Sequence, residues 1–279
     1  MFTLLLPYPA ALIKTAKTKS LVIADPHIGW ETSLQNKGIH VPSQTQKMTK
    51  KLLALLLKYQ PETLLILGDV KYTVIHSEFG EWHDIPEFFN QIKQHVANIS
   101  IIRGNHDANL ESLLPQNVIV QPASGITLDD VGLFHGHKWP SPHLLSVKTL
   151  IMGHLHPVVV FRDPTGLKLT RQVWMKINCD SNALTKILLE KNNVKIENTP
   201  QETLQKHYQI TPKTTQLFIM PSFNDFLGGR PINETSPDRD SSEELIGPVL
   251  RSKAVDLDNS EIFLLDGTYL GTLNQLRKQ

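Results

Sequence analysis

The sequence predicts an α/β (α+β) fold whose strands carry polar residues to a common rim. Three observations lead there. Short apolar runs rich in β-formers recur, and each ends in polar residues. Helical patterns separate the first of these runs. Beyond about residue 115 the runs follow one another through short connections.

Leu21–Ala24 leads into Asp25 and His27, Leu64–Leu67 into Gly68 and Asp69, and Ile99–Ile102 into Gly104, Asn105 and His106. Leu133–Phe134 leads into His135, and Leu150–Met152 into Gly153, His154 and His156. Continuous apolar runs suit strands covered on both faces. Ligands of α/β sheets sit beyond the carboxyl ends of strands, so five strand ends are expected to supply one site.

Between these runs, Pro42-Ser43 marks a helix start, and Met48, Leu52, Leu55 and Leu56 follow at helical spacing. A second helix is expected from Pro86 to Ala97. Val158–Phe161 and Leu167–Lys176 read as a hairpin about the turn Asp163–Gly166. Residues 178–213 are polar apart from an expected short helix at Leu184–Leu189, and they read as an insertion or mobile cap. Leu217–Met220 returns to strand. Residues 234–244 are acidic and Ser-rich and read as a surface loop. Ile262–Leu265, closed by Asp266-Gly267, is expected as a final hairpin strand. No internal repeat is evident, and residues 1–279 read as a single domain with the variable segment inside it.

Composition narrows the chemistry. Hydrophobic residues make up 40% of the 279, enough for a sizeable core, and the net charge is +1. That balance gives no global electrostatic argument for nucleic acid, so such a surface must be local. Cys179 is the single cysteine. It excludes an internal disulfide and a thiolate metal cluster, and it reads as a free thiol in a reducing compartment. The apolar stretch from Leu4 to Ile13 lacks a basic n-region and is interrupted by Pro7 and Pro9, so it reads as an edge strand and turn, not a signal peptide. No run approaches the roughly 20 apolar residues of a membrane span. A soluble, cytoplasmic protein is expected.

The strand ends carry imidazoles, carboxylates and one amide. This mixture suits divalent transition metals, with Mn²⁺, Fe²⁺ and Zn²⁺ open and Ca²⁺ disfavoured. In Asp25-Pro26-His27, residues i and i+2 share a side if the segment is extended. His154-Leu155-His156 repeats the spacing, although a loop there could divide the two rings between two ions. Gly68 lets the backbone approach closely at Asp69, which is well set to bridge two cations. Asn105 adds a neutral oxygen, which limits the negative charge of the set.

The five blocks Asp25-x-His27, Gly68-Asp69, Gly104-Asn105-His106-Asp107, His135-Gly136-His137 and Gly153-His154-x-His156 resemble those of the calcineurin-like metallophosphoesterase superfamily. Within it the chain is most similar to the ICC-like phosphoesterases. That subgroup is related to the SbcD nuclease and to phosphoesterases encoded beside bacterial DNA ligase and helicase genes. The resemblance extends through His137-Lys138-Trp139-Pro140 to Met220-Pro221-Ser222-Phe223-Asn224 and Gly228-Gly229-Arg230-Pro231.

The resemblance implies a ligand set. Asp25, His27 and His156 would hold one metal, Asn105, His135 and His154 a second, and Asp69 would bridge them. It implies His106 as general acid, with Asp107 orienting or charging it. The expected architecture is a four-layer αββα sandwich of two mixed β-sheets flanked by helices. Two cations sharing a water lower its pKa toward neutrality, so hydrolysis by metal-activated hydroxide is expected. Mn²⁺ is the first choice. The implied substrate is a phosphodiester, single-stranded DNA or other nucleic acid in a DNA-repair setting, with a possible helicase partner and homodimer. The alternative is a small-molecule phosphoesterase acting on nucleotides, cyclic nucleotides or phosphomonoesters. A noncatalytic scaffold is a third class, disfavoured because every expected ligand is present.

Around this set, Arg103, His137 and Lys71 are candidate substrate contacts. Trp30, Tyr72 and Trp139 are candidate stacking residues, and His76, His83 and His143 candidate site linings. Basic clusters at Lys14, Lys17 and Lys19 and at Lys47, Lys50 and Lys51 are candidate backbone contacts.

Overall fold

The structure is a computed structural model and describes residues 1–35, 38–75, 77–234 and 246–278. His76 and residues 235–244 of the expected acidic loop lie outside the described residues. Among the described residues two mixed sheets stack face to face. The first has six strands: β1 (Phe2–Leu4), β2 (Ala11–Lys14), β3 (Lys19–Ile23), β4 (Thr63–Ile66), β5 (Asn98–Ile102) and β6 (Val118–Gln121), in that spatial order. β3 to β6 run parallel, and β1 and β2 add an antiparallel edge.

The second sheet has nine strands. They are β7 (Ile126–Leu128), β8 (Val131–Phe134), β9 (Thr149–Met152), β10 (Pro157–Arg162), β11 (Lys168–Cys179), β12 (Gln216–Ile219), β13 (Arg230–Pro231), β14 (Val255–Leu264) and β15 (Tyr269–Thr272). β8, β9 and β12 are mutually parallel. The expected hairpins appear as β10–β11 and β14–β15.

Strand alternation builds the layers. In β3, Leu21 and Ile23 face a core beneath the helices, whereas Val22 and the following Ala24 face the other sheet. β4 repeats this with Leu64 and Ile66 against Leu65 and Leu67. In β9, Leu150 and Met152 face the outer core and Ile151 the inter-sheet core. Because both faces are covered, the runs are apolar throughout. Trp174, fully buried, sits in the inter-sheet layer.

After the short α1 (Thr32–Gln35), helices α2 (Thr45–Tyr59) and α3 (Phe79–Ile92) cover the first sheet. α2 buries Met48, Leu52, Leu55 and Leu56, the stripe read from the sequence. α3 begins seven residues before the expected start at Pro86. A capping box between Glu78 and Glu81 opens it, and Pro86 lies inside it. Proline there removes one backbone hydrogen bond, and Ile85, Phe88, Phe89 and Ile92 bury the face that holds the helix.

Residues 178–213, read as an insertion or cap, contain α4 (Ser181–Lys191) and α5 (Pro200–Tyr208). Leu184, Leu188, Leu189 and Leu204 from these helices are fully buried against the second sheet, together with the last helix, α6 (Leu273–Arg277). Asp180 and Thr199 cap the two helices, which the apolar count alone did not reveal. Burial pushes the Cys179 thiol up to about 12, so it stays protonated. Among the described residues no helix is long and apolar enough to cross a membrane.

Candidate metal centre

The carboxyl ends of β3, β4, β5, β8 and β9 point to the same end of the sandwich, and the loops after them converge. Two groups of ligand atoms form, each within 4.8 Å: Asp25, His27, Asp69 and His156, and Asp69, His135 and His154. Asp69 belongs to both. Its Oδ2 lies 3.5 Å from His27 Nε2 and 3.4 Å from His135 Nε2. Asn105 joins the second group, with Oδ1 3.2 Å from His135 Nε2.

The local backbone explains the convergence. Asp25, His27, Asp69, His154 and His156 all have φ between 43° and 68°, in the left-handed region. Such conformations are sparse for residues other than glycine and gather at functional sites. The extended i, i+2 geometry expected for Asp25 and His27 is therefore not how they meet; a left-handed turn brings them together. His154 and His156 part, one to each group, as the loop alternative allowed.

Glycine is required at two neighbours. A Cβ on Gly68, itself at φ 76°, would stand 2.5 Å from His135 Nδ1, and one on Gly104 would stand 2.1 Å from Asp69 Oδ1. The segment after β12 clamps the first turn: Ser222 Oγ donates to the Asp25 carbonyl at 2.7 Å, and Asn224 Nδ2 to that of Pro26 at 3.1 Å.

Each carboxylate spends one oxygen on a backbone N–H of another loop. Asp25 Oδ2 accepts the His154 N–H at 2.9 Å, and Asp69 Oδ1 accepts the His106 N–H at 2.8 Å. The other oxygen of each faces imidazoles. Asp25 Oδ1 is buried without a hydrogen-bond partner, 3.4 Å from His156 Nε2.

These atoms fit a cation. His135 Nδ1 donates to the Leu67 carbonyl at 2.7 Å, which fixes its tautomer and turns Nε2 inward. That nitrogen meets His154 Nδ1 at 3.1 Å as well as the Asp69 and Asn105 oxygens. In the other group, His27 Nε2 meets His156 Nε2 at 3.3 Å. Lone pairs facing one another so closely call for positive charge between them.

The titration behaviour expresses the same demand. Burial works to lower His135, but the Asp69 carboxylate and the Asp25 charge outweigh it and lift the ring to about 9. Burial works to raise Asp69, but His135, then His27 and His106, hold it well below the usual carboxylate range. Burial and the His135 charge push His154 down to about 3, and burial likewise lowers His27. The neutral His27 and His154 rings and the ionised Asp69 are the forms a metal binds, and His135 must release its proton to join them.

His106 lines the pocket with Nε2 4.0 Å from Asp69 Oδ2, and its Nδ1 donates to the Tyr72 carbonyl. Asp107 does not orient it. Its buried carboxylate instead accepts three backbone N–H groups, from Gly104 at 2.7 Å, Val70 at 2.8 Å and Asp69 at 2.9 Å. Burial and the nearby Asp69 charge raise Asp107 to about 6. Its work is to tie the Asp69 and Asn105 loops together.

Other expected contacts fall elsewhere. Arg103 pairs with Glu111 and donates to the Asp107 carbonyl at 2.9 Å. Lys71 is fully buried and donates to the carbonyls of Thr73 and Val74, so it neither meets solvent nor lines the pocket. His137 packs its ring 5.1 Å from that of His135, and burial with the His135 charge lowers it to about 4. Tyr72 lines the pocket, its ring 5.9 Å from that of His27. Trp30 does not line the pocket. His83 pairs with Asp84, and His143 packs on Tyr208. Lys51 binds Asp225 and the Phe223 carbonyl, and Lys47 lies over the Phe226 ring. Lys19 donates to the Tyr59 carbonyl. The sequence reading gives no site role to Leu227, Gly229 and Arg230, which the loop after Asn224 brings to the rim, or to Leu155 and Ile246, which also line the pocket.

Against this geometry stand the comparisons. The model of the calcineurin-like phosphoesterase family matches residues 18–217, and the chain belongs to that family. It is therefore a metal-dependent phosphoric ester hydrolase, and the ligands above are those available to its divalent metals. No curated protein matches the chain. Among solved structures it is similar to the Pseudomonas putida nuclease MPE at 19% identity, over 92% of this chain and 93% of that one, with a TM-score of 0.47. It is also similar to YfcE, a phosphoesterase from E. coli, at 22% identity over 53% and 75%, with a TM-score of 0.33.

Proposed function

We propose that this hydrolase cleaves phosphodiester bonds of single-stranded nucleic acid, with Mn²⁺ as its preferred metal. The observation that carries the reading is Asp69 Oδ2, 3.5 Å from one group's His27 and 3.4 Å from the other group's His135. Asp25, His27 and His156 are assigned to one cation, and Asn105, His135 and His154 to the other. The oxygens of Asp25, Asp69 and Asn105 favour manganese among the metals that also accept imidazole.

When bound, the metal pair supplies a nucleophile from water near neutral pH and neutralises phosphate oxygens. The chain's own residues hold and complete the reaction. Because His106 Nδ1 is committed to Tyr72, Nε2 is the atom that gives a proton to the leaving oxygen. A diester releases an alkoxide, which needs that proton, and such transfer contributes about 10²–10⁴-fold. Arg230 at the rim pairs with the non-bridging oxygens.

The near-neutral charge favours a second reading, a small phosphoester such as a nucleotide. One assay separates them. The protein is incubated with Mn²⁺, Fe²⁺ or Zn²⁺ and offered single-stranded DNA, bis-p-nitrophenyl phosphate and p-nitrophenyl phosphate. Cleavage of DNA and the small diester, with little monoester turnover and a maximum in Mn²⁺, is expected. Turnover of the monoester alone would sink the nuclease reading.

A further inference from the structure

Beside the pocket over the metal ligands, of about 380 Å³, lies a larger cavity of about 950 Å³. The two share a thin wall. Ile246 lines the smaller and the next residue, Gly247, lines the larger. A Cβ added to Gly247 would meet the Gly136 carbonyl oxygen at 2.7 Å and His154 Cδ2 at 3.6 Å. On the other side the larger cavity begins at His137, whose ring packs on that of His135. The cavity thus opens where the ligand set ends.

Its lining differs from that of the metal pocket. Lys138, Lys191 and Arg251 bring three cations, Glu190 is the one carboxylate among the described lining residues, and Trp139 adds an indole. Lys138 and Lys191 are both exposed. Lys47 and Lys51, by contrast, are engaged with the segment Phe223–Phe226 on the other sheet's side. Cations beside an aromatic face are what single strands use, the cations for phosphate and the ring for a base. A recess of this kind takes an unstacked base, which a closed duplex does not offer.

We propose that this cavity seats the nucleotide flanking the scissile phosphate, with its phosphate on Lys138 and Lys191 and its base against Trp139. The inference rests on the phosphodiesterase reading above. Phosphate contacts release counterions, so removing two of them lowers the salt slope of single-strand binding by about 1.4. Removing the cavity's carboxylate acts in the opposite direction.

The test uses fluorescein-labelled oligothymidylate and the full chain. Anisotropy is read in EDTA across a salt series for the wild type, the double variant Lys138→Ala/Lys191→Ala, and Glu190→Gln. The double variant should weaken binding about tenfold and flatten the salt dependence, while Glu190→Gln should tighten binding about twofold. With metal added, the ratio of kcat/KM for the oligonucleotide to that for bis-p-nitrophenyl phosphate should fall about tenfold in the double variant. Trp139→Phe, which keeps a ring in the partly buried position, should lose less of that ratio than Trp139→Ala. A ratio and salt slope unchanged in the double variant, when the wild type cleaves both diesters, would overturn the subsite alone. A wild type that cleaves neither diester would overturn the phosphodiesterase reading and the subsite with it.

Discussion

The two sheets contribute unlike chemistry to one site. Loops of the six-stranded sheet bring both carboxylates, the amide and the rings of His27 and His106. Loops of the nine-stranded sheet bring imidazoles alone: His135, His154 and His156. Neither sheet holds a complete set. The first group takes three ligands from the six-stranded sheet and one from the other, and the second takes Asp69 and Asn105 from one side and two rings from the other. The metal centre therefore exists only while the sheets are docked, and ligand binding and inter-sheet packing are thermodynamically linked.

The sharpest way to break this comparison is at the shared ligand. Asp69→Asn removes the charge common to both groups, so it should abolish turnover and lower the bound metal below two per chain, measured by elemental analysis. His154→Ala, on the nine-stranded side, should empty one group and spare the other. Two bound metals and full turnover in Asp69→Asn would show that Asp69 is not shared.

Next in size is His106, on the six-stranded side but in neither ligand group. His106→Ala should lower kcat by about 10²–10⁴-fold with both metals retained. Loss of a metal in that variant would make His106 a ligand instead.

The docking itself is tested at Trp174, buried between the sheets. Trp174→Ala should cost about 3–5 kcal/mol in chemical denaturation of the metal-free protein. Saturating metal should recover part of that loss, because the ligands span both sheets. Trp174→Ala should also bind metal more weakly than a surface mutant, and equal affinity in the two would uncouple site from packing.

The smallest effect is a pH dependence. In the metal-free protein His135 keeps its proton up to about 9, and ligation requires the neutral ring. Metal affinity should rise by about tenfold per pH unit below that value and level off above it. For folding the sign is opposite. The folded pKa is raised above the ordinary 6.5, so the stability from the charged ring is fully present below 6.5 and is lost as pH rises through about 9. Calorimetry in buffers of different ionisation heat should read about one proton released near neutral pH as the group that contains His135 fills.

The same contrast explains what could be read from the chain beforehand. The strand ends were legible because apolar runs covered on both faces stop abruptly at Asp25, Asp69, Asn105, His135 and His154. The four-layer order followed from the resemblance, and alternation in Leu21–Ala24 and Leu64–Leu67 realises it. Backbone roles were not legible. Nothing in a side-chain pattern shows that Asp107 serves three amide N–H groups, or that the Tyr72 carbonyl holds His106. The left-handed turns at Asp25 and His27 replaced the extended spacing first assumed, because Ser222 and Asn224, nearly two hundred residues away, clamp that loop. The start of α3 was missed because Pro86 suggests a first turn, while the Glu78–Glu81 capping box signals the true one. Arg230 stands in the motif Gly228-Gly229-Arg230-Pro231, but its place at the pocket rim depends on the path of a long loop and could not be read from it.

The most direct test of the shared centre is anomalous diffraction from crystals soaked in Mn²⁺ and measured at the manganese edge. Two peaks about 3.5–4 Å apart are expected, one among Asp25, His27 and His156, the other among Asn105, His135 and His154, both in contact with Asp69. A single peak, or two peaks of which one lies away from Asp69, would contradict the account.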